Sequence, residues 1–352
     1  MLNEPTALIL GIGGQDGYFL SHLLNRQGYS VTGFLLPSDM TAPTIPFLPD
    51  DKLQLIQSSI TDADLLRRFI TEHKPDFIFN LAGVSFIPDS WDASMEVERT
   101  NGSAVGEILR IIREESPTTR FFQACSSEMF GHSPEESPQN ESTPFNPDNP
   151  YGSSKVFAYH LTRNCRDKFG VFACSGILYN HESQWRPPHY VTRKITMAAA
   201  GIKLGKEDSL ELGNLDNVRD WSYAGDIVNA MWLMMNAHEP RDYVLASGKL
   251  HTVRDILDTA FGHVGIDWRD HVSVDDSLRR AQEGLPLCGD SSRARKELGW
   301  QLKMGFTNMI RMMVDRDLER LSEGRTSMSR CCHSQILPTE TQPSITSPVH
   351  IN

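Results

Sequence analysis

The chain of 352 residues is 39% apolar and 22% charged. That is an ordinary globular composition, able to bury a sizeable core, and it excludes a disordered, collagen-like or coiled-coil protein; at about 150 residues per domain the length fits two domains. Lys and Arg number 34 against 45 Asp and Glu, a formal net charge of −11, so neither nucleic acid nor an anionic membrane is the expected partner.

In chain order, Ala7–Leu10 is a short apolar run that reads as a strand. Gly17–Arg26 has helical spacing, with Phe19, Leu20, Leu23 and Leu24 on one face, and Gly28 ends it in the C′ position. Tyr29–Leu36 reads as the second strand, Leu53–Ile56 as the third, Asp62–His73 as a helix and Asp76–Leu81 as the fourth strand. Val105–Glu114 reads as a helix and Arg120–Cys125 as the fifth strand. Strands separated by helices predict βαβ units and a parallel sheet. From about Glu135 to Pro150 the composition of a surface loop takes over, followed by a helix from Tyr151 to about Phe169 and a strand at Val171–Leu178. Beyond Asn180 the pattern is irregular and predicts a smaller second lobe. From Glu323 on, Ser, Thr, Pro and Gln dominate, the composition of a disordered tail.

No basic stretch precedes the first apolar run, and nothing approaches the ~18 apolar residues of a membrane span. Met231–Met235 is among the longest apolar runs. A cytoplasmic protein is expected. Of the six Cys, Cys125, Cys165, Cys174 and Cys288 read as buried free thiols. Cys331 and Cys332, beside His333, have no second ligand pair at zinc spacing, so no metal is expected. Arg279, Arg280, Arg293, Arg295 and Lys296 form a late basic cluster that could receive a phosphate.

Gly11-Ile-Gly-Gly-Gln-Asp-Gly17 lies between the first strand and the first helix. The first glycine permits a tight turn, the second admits a pyrophosphate to the backbone amides, and the third lets helix pack on strand. The helix N-terminus adds partial positive charge. Together these point to a dinucleotide and a Rossmann-type, doubly wound α/β fold. The acid or arginine that would choose between NAD and NADP, about 20 residues on, is not plain: Asp39 is the nearest acid and lies past Pro37.

Tyr151-Gly-Ser-Ser-Lys155 opens a helix after Pro150, and residues four apart share a face. A Lys ammonium there would stabilise a Tyr151 phenolate, lower its pKa and make it a usable base. The fifth strand ends in Ser126-Ser-Glu128, at the carboxyl edge where ligands of open α/β sheets bind. A hydroxyl there can hold a substrate oxygen, and a carboxylate can move a carbon-bound proton.

These motifs resemble those of the extended short-chain dehydrogenase/reductases, and most narrowly the GDP-mannose 4,6-dehydratase family. The likeness runs from about Ala7 to about Arg320. Its narrower segments are Gly176-Ile-Leu-Tyr-Asn-His-Glu-Ser183, Val191-Thr-Arg-Lys-Ile195, Leu212-Gly-Asn-Leu-Asp216, Arg219-Asp-Trp221 and Ala230-Met-Trp-Leu-Met234. The resemblance implies a cofactor-binding Rossmann domain over 1–178, a mostly nucleotide-sugar-binding lobe over 179–322 with some chain exchange between the two, and a tail over 323–352. It implies four catalytic residues: Ser126 at the C4 oxygen, Tyr151 as the base for the C4 hydroxyl, Lys155 tuning it and Glu128 taking the C5 proton. It places Gly11, Ile12, Gly13, Gly14, Gln15, Asp16, Gly17, Ser59, Ile60, Leu81, Ala82, Gly83, Ser85, Tyr151, Lys155, His181 and Arg186 at the cofactor. It places Ser85, Ser127, Asn180, Lys194, Arg219, Arg280 and Glu283 near the nucleotide-sugar. The implied cofactor is NADP, with NAD as the alternative; the implied substrate is GDP-mannose, and the implied assembly a homodimer or homotetramer.

This sequence departs from the family at several points. Leu35-Leu-Pro-Ser38 stands where the family has a basic segment, Ser59 where it has an acid, Ser126 where it has Thr, and Ala281 where it has Pro. Three rival readings stay open: a dehydratase for another nucleotide-sugar such as a GDP-heptose, a 4-epimerase or reductase, and a non-catalytic sensor of cofactor or nucleotide-sugar. Glu128 separates the first from the second, because 4-epimerisation and reduction do not need a C5 proton acceptor. For Arg219 the plainer role is a surface ion pair with Asp220, and for His181 a satisfied core histidine.

Overall fold

The structure is a computed structural model, and it describes residues 4–36, 53–84, 91–131, 137–278, 286–323 and 336–337. The first half alternates strand and helix. It runs through β1 (Thr6–Leu10), α1 (Gln15–Arg26), β2 (Ser30–Leu35), β3 (Leu53–Gln57), α2 (Ala63–His73) and β4 (Phe77–Asn80). Next come α3 (Ser94–Glu98), a π-helical segment (Arg99–Ser103), α4 (Ala104–Glu115), β5 (Arg120–Ser126), α5 (Pro150–Phe169) and β6 (Ala173–Leu178). The second half runs β7 (Asn180–Glu182), α6 (Val191–Lys203), β8 (Leu210–Leu212), β9 (Val218–Tyr223), α7 (Ala224–Met235), β10 (Tyr243–Leu245) and β11 (Leu250–Thr252). It closes with α8 (Val253–Val264), β12 (Val272–Val274), α9 (Ser292–Leu298), α10 (Phe306–Ser322) and β13 (Ile336–Leu337).

The eight-stranded main sheet has the order β10-β6-β5-β4-β1-β2-β3-β13, and its pairings are parallel. Parallel strands covered on both faces carry continuous apolar runs, and β4 (FIFN) and β6 (ACSGIL) are buried at every position. Side chains still alternate in direction. Ala7, Ile9, Phe79 and Phe122 join Leu20 and Leu24 of α1 and Met231 of α7 on one face. Leu8, Leu10, Ile78 and Phe121 join Leu66, Ile108 and Ile112 on the other, under α2 and α4. The expected parallel Rossmann-type sheet is present.

The caps explain the helix limits. Asp62 accepts from Leu65 N–H at the start of α2, and Thr252 with Asp255 forms a capping box at α8. Helix α1 begins at Gln15 rather than Gly17, because Gly14, with extended backbone, is already its N-cap. Gly28 does close it, at φ +86°.

Beyond Asn180 the irregular pattern hides regular structure. Helices α6, α8 and α10 pack around Ile195, Trp221, Phe261 and Met309 with β8 and β9. Strand β9 pairs with β7 and β11, and β8 with β12. The chain also returns: α7 covers the main sheet and β10 extends it beside β6. From the segment read as a tail, Ile336–Leu337 pairs with β3. Among the described residues no helix is long and apolar enough to cross a membrane.

Cys125, Cys165 and Cys174 are buried as expected, whereas Cys288 is half-buried: it lies on irregular chain just before α9. Burial pushes the Cys125 thiol up to about 12. Cys331, Cys332 and His333 lie outside the described residues.

Candidate active site

A cleft of about 540 Å³ opens along the carboxyl ends of β1, β4, β5 and β6. Between β1 and β4 the strand order reverses, and ligands of open α/β sheets bind at that switch. Gly11, Gly13, Gly14, Gln15, Asp16 and Gly17 line its floor, with Ser59, Ile60, Leu81, Ala82 and Gly83 beside them. Ser126, Ser127, Glu128, Tyr151 and Lys155 line its middle, and Asn180, His181 and Arg186 its far wall.

Gly11 and Gly17 are there because side chains would not fit. At φ +80°, a Cβ on Gly11 would lie 2.7 Å from the Ala82 backbone, and one on Gly17 2.3 Å from the Ile12 carbonyl oxygen. The turn therefore packs tightly and aims the N-terminus of α1 into the cleft. Such a cradle of backbone amides and helix dipole fits a dinucleotide pyrophosphate. Ile12 is an exception to the expected set. The residue is fully buried and its side chain packs against Gly33, so it supports the turn and does not line the cleft. Ser59 lines the cleft, but its hydroxyl bonds Thr61 Oγ1 at 2.8 Å and accepts from Thr61 N–H, an engagement that shapes the turn after β3.

At the end of β5 the chain enters a 3-10 turn, Ser127–Phe130, capped by Ser126 Oγ accepting from Glu128 N–H at 3.2 Å. Helix α5 starts opposite. Asn149 caps it by accepting from Gly152 N–H at 2.8 Å, with Pro150 in the first turn. The Lys155 ammonium lies 5.7 Å from the Tyr151 ring centroid and donates to the Ala124 carbonyl at 3.0 Å. The two therefore do share one face.

The expected lowering of the Tyr151 pKa is corrected by the structure. Burial raises it, and the hydrogen bond with Ser126 offsets only part of that effect. Burial likewise lowers the Lys155 pKa. Removing a charge from water outweighs the partners the protein supplies here.

The far wall is tied to the glycine turn. Gln15 Nε2 donates to the His181 carbonyl and Ser183 Oγ donates to Gln15 Oε1, each at 2.8 Å. His181 bonds the Tyr179 carbonyl through Nδ1 at 2.7 Å and Asp16 Oδ2 through Nε2 at 2.9 Å. It is thus a satisfied buried histidine and also a wall of the cleft. Burial alone would lower its pKa; the charge and hydrogen bond of Asp16 outweigh that and leave it raised. Arg186 sits over the Tyr190 ring, 3.5 Å from its centroid.

Other expected residues stand apart. Lys194 lies in a second hollow with Pro188, Met197 and Glu207 and donates to the Glu211 carbonyl at 2.8 Å. Arg219, on β9, donates to the Val218 carbonyl at 2.8 Å. Asp220 is 1% exposed and accepts instead from Ser247 and Gly248 N–H. Of the late basic cluster, Arg293 reaches Glu141 at 3.5 Å and Arg295 donates to the Ser247 carbonyl at 3.2 Å, so these two serve different contacts. Ser85, Arg280 and Glu283, with Arg279 and Asp39, lie outside the described residues. Among the described residues no cluster of His, Cys, Asp or Glu could hold a metal.

Two residues escaped the sequence reading. Asn101, in the π segment, exchanges bonds with Val84 N–H at 2.9 Å and the Val84 carbonyl at 3.0 Å, pinning the loop after β4 against the cleft. A π turn has no periodicity to betray it, although such turns favour functional sites. Asn149 had a signal, the cap residue before a helix-opening Pro.

The profile of the family described as GDP-mannose 4,6 dehydratase matches residues 8–313. The chain is 43% identical to GDP-mannose 4,6 dehydratase 2 of Arabidopsis thaliana, over 89% of this chain and 87% of that one. In fold it is similar to the dTDP-glucose 4,6-dehydratase of Bacillus anthracis, solved in complex with NAD, with a TM-score of 0.77 at 18% identity over 90% of this chain and 98% of that one. RMD from Pseudomonas aeruginosa, complexed with NADPH, also gives a TM-score of 0.77, at 19% identity over 90% and 99% of the two chains. A family profile covering most of the chain and a relative at this identity lead to one conclusion: the chain belongs to the GDP-mannose 4,6-dehydratase family.

Proposed function

We propose that the protein converts GDP-mannose to GDP-4-keto-6-deoxymannose and water. One observation carries this reading beyond the family name. Glu128 shares a cleft with Ser126, Tyr151, Lys155 and the glycine turn, and its carboxylate has no task in a plain reductase or epimerase.

The glycine cradle fits a nicotinamide dinucleotide, and we take the cofactor to be NADP, on the resemblance to the family. Held by the glycine turn, Tyr151 and Lys155, the cofactor would supply hydride chemistry, as acceptor for the C4 hydrogen and donor to C6. The chain's own residues move the protons. Ser126 holds the C4 oxygen and Tyr151 accepts the C4 hydroxyl proton. The phenolate this requires is opposed by burial and favoured by Ser126 and by Lys155 on the same helix face. The C4 ketone acidifies C5–H, and Glu128 takes that proton. The C6 hydroxyl then departs as water. Two protons are taken up, from the C4 hydroxyl and from C5. Two are returned, one to the departing hydroxyl and one to C5, so the sum is the loss of one water.

On this reading residues 1–178 with β10 and α7 form the cofactor body, and most of 179–322 receives the nucleotide-sugar, with Asn180, Lys194 and Arg219 on its side. We propose that the protein is cytoplasmic and a homo-oligomer. Met95 on α3 and Phe157 on α5, exposed at 86% and 47%, lie on two helices that pack together and support a covered face there, because adjoining exposed apolar groups mark contact surfaces.

The test is incubation of the purified protein with GDP-mannose and NADP or NAD, followed by mass analysis. A sugar nucleotide lighter by one water is expected. An unchanged mass with both cofactors, in folded protein, would sink the reading.

A further inference from the structure

We infer that Asn149 is a positioning residue for Glu128, holding its carboxylate in the cleft as a proton acceptor. This rests on the reading of Glu128 as the group that takes the C5 proton.

Asn149 is 9% exposed and has extended backbone at the N-cap of α5. Its side-chain oxygen is committed to Gly152 N–H at 2.8 Å. An amide whose oxygen is fixed must aim its two N–H groups the other way. They go to Glu128 Oε2 at 3.1 Å and Asp148 Oδ1 at 3.0 Å. An N–H aimed at a carboxylate favours the ionised form and limits its rotation. The fixed orientation is what transfer of a carbon-bound proton requires.

The frame around the bond is stiff. Glu128 N–H is tied to Ser126 Oγ, and α5 begins in direct contact with the Glu128 backbone. One amide therefore caps the helix that presents Tyr151 and Lys155 and orients the carboxylate that completes the site. Capping alone does not ask for Asn, since Ser and Asp cap helices equally well. Of the three, Asn alone combines the capping oxygen with an amide NH₂.

That difference defines the experiment. Asn149→Ser and Asn149→Asp keep a capping oxygen and remove the amide donor. Each variant, with Glu128→Gln beside it, is mixed with GDP-mannose and NADP, and turnover, KM, melting temperature and the absorbance of reduced nicotinamide are followed. In both Asn149 variants turnover should fall by about a hundredfold, the loss a displaced catalytic group brings. KM and melting temperature should stay near those of the parent. Reduced nicotinamide should accumulate, because C4 oxidation proceeds while C5 proton removal stalls. Parental turnover in the Asn149 variants beside an inactive Glu128→Gln would overturn the inference and leave the Glu128 reading standing. A fully active Glu128→Gln would overturn both. Lost turnover with a lowered melting temperature and no reduced nicotinamide would reduce Asn149 to a helix cap and overturn the inference.

Discussion

A Cβ placed on Gly152 would stand 2.5 Å from the carbonyl oxygen of Glu128. The first turn of α5 and the turn after β5 therefore touch backbone to backbone, which brings Tyr151 and Glu128 into one cleft from different elements. The glycine inside the Tyr–Lys motif is a packing requirement.

Gly152→Ala should push the two turns apart. Overpacking against backbone costs about 1–3 kcal/mol, and the displacement falls on Tyr151 and Glu128 directly. The expected outcome is a lower denaturant midpoint and a turnover loss larger than the stability loss explains. Parental turnover in the alanine variant would show that the contact relaxes without moving the site.

Gly11→Ala tests the cradle. At φ +80° an L side chain is strained, and its Cβ would meet the Ala82 backbone at 2.7 Å. The left-handed region alone costs a non-glycine residue about 1–2 kcal/mol. The larger effect should be on the cofactor, because the turn must shift away from the loop after β4. NADPH fluorescence titration should show binding weakened well beyond the change in folding stability; equal affinity would remove this turn from the phosphate site.

Much of this site is legible in the sequence, and the limits have physical causes. The runs at β1, β4 and β6 are apolar because both faces of the sheet are covered, so composition alone exposes them. The glycine turn and the Tyr–Lys spacing carry fixed geometry in a few residues. Strand β10, three residues long, is too short to show a period, and α7 is apolar almost all round, so neither announces its return to the main sheet. The direction of the Tyr151 pKa is invisible because it comes from burial, a property of the packed molecule. Ile12 faces the core because Gly33 on the neighbouring strand leaves room for it, a contact no local pattern records.

His181 predicts a pH dependence of stability. Both ring nitrogens face acceptors, the Tyr179 carbonyl and Asp16 Oδ2, so the doubly protonated ring satisfies both, and its pKa is raised from the usual 6.5. A raised pKa means that folding favours the cation. The contribution is complete below the unfolded value and is lost as pH rises through the folded one. The parent should therefore lose stability relative to His181→Gln as pH rises from below 6.5 into the alkaline range. Urea unfolding across that range measures it; a constant difference would mean that the proton is not held.

Arg193 and Asp317 form a buried ion pair between α6 and α10, with side chains 2% and 3% exposed. Its removal from one side leaves an uncompensated charge in the core of the second half of the chain. Arg193→Met should cost about 3–5 kcal/mol, as breaking buried pairs does. Arg320, 3.6 Å from Asp317, can absorb part of that cost. Replacing both partners, Arg193→Met with Asp317→Leu, removes the stranded charge along with the pair. The double variant should recover most of the loss, and a double-mutant cycle on denaturant midpoints measures the coupling. Additive losses would show that Arg193 stabilises this core through its packing against α10 and not through the pair.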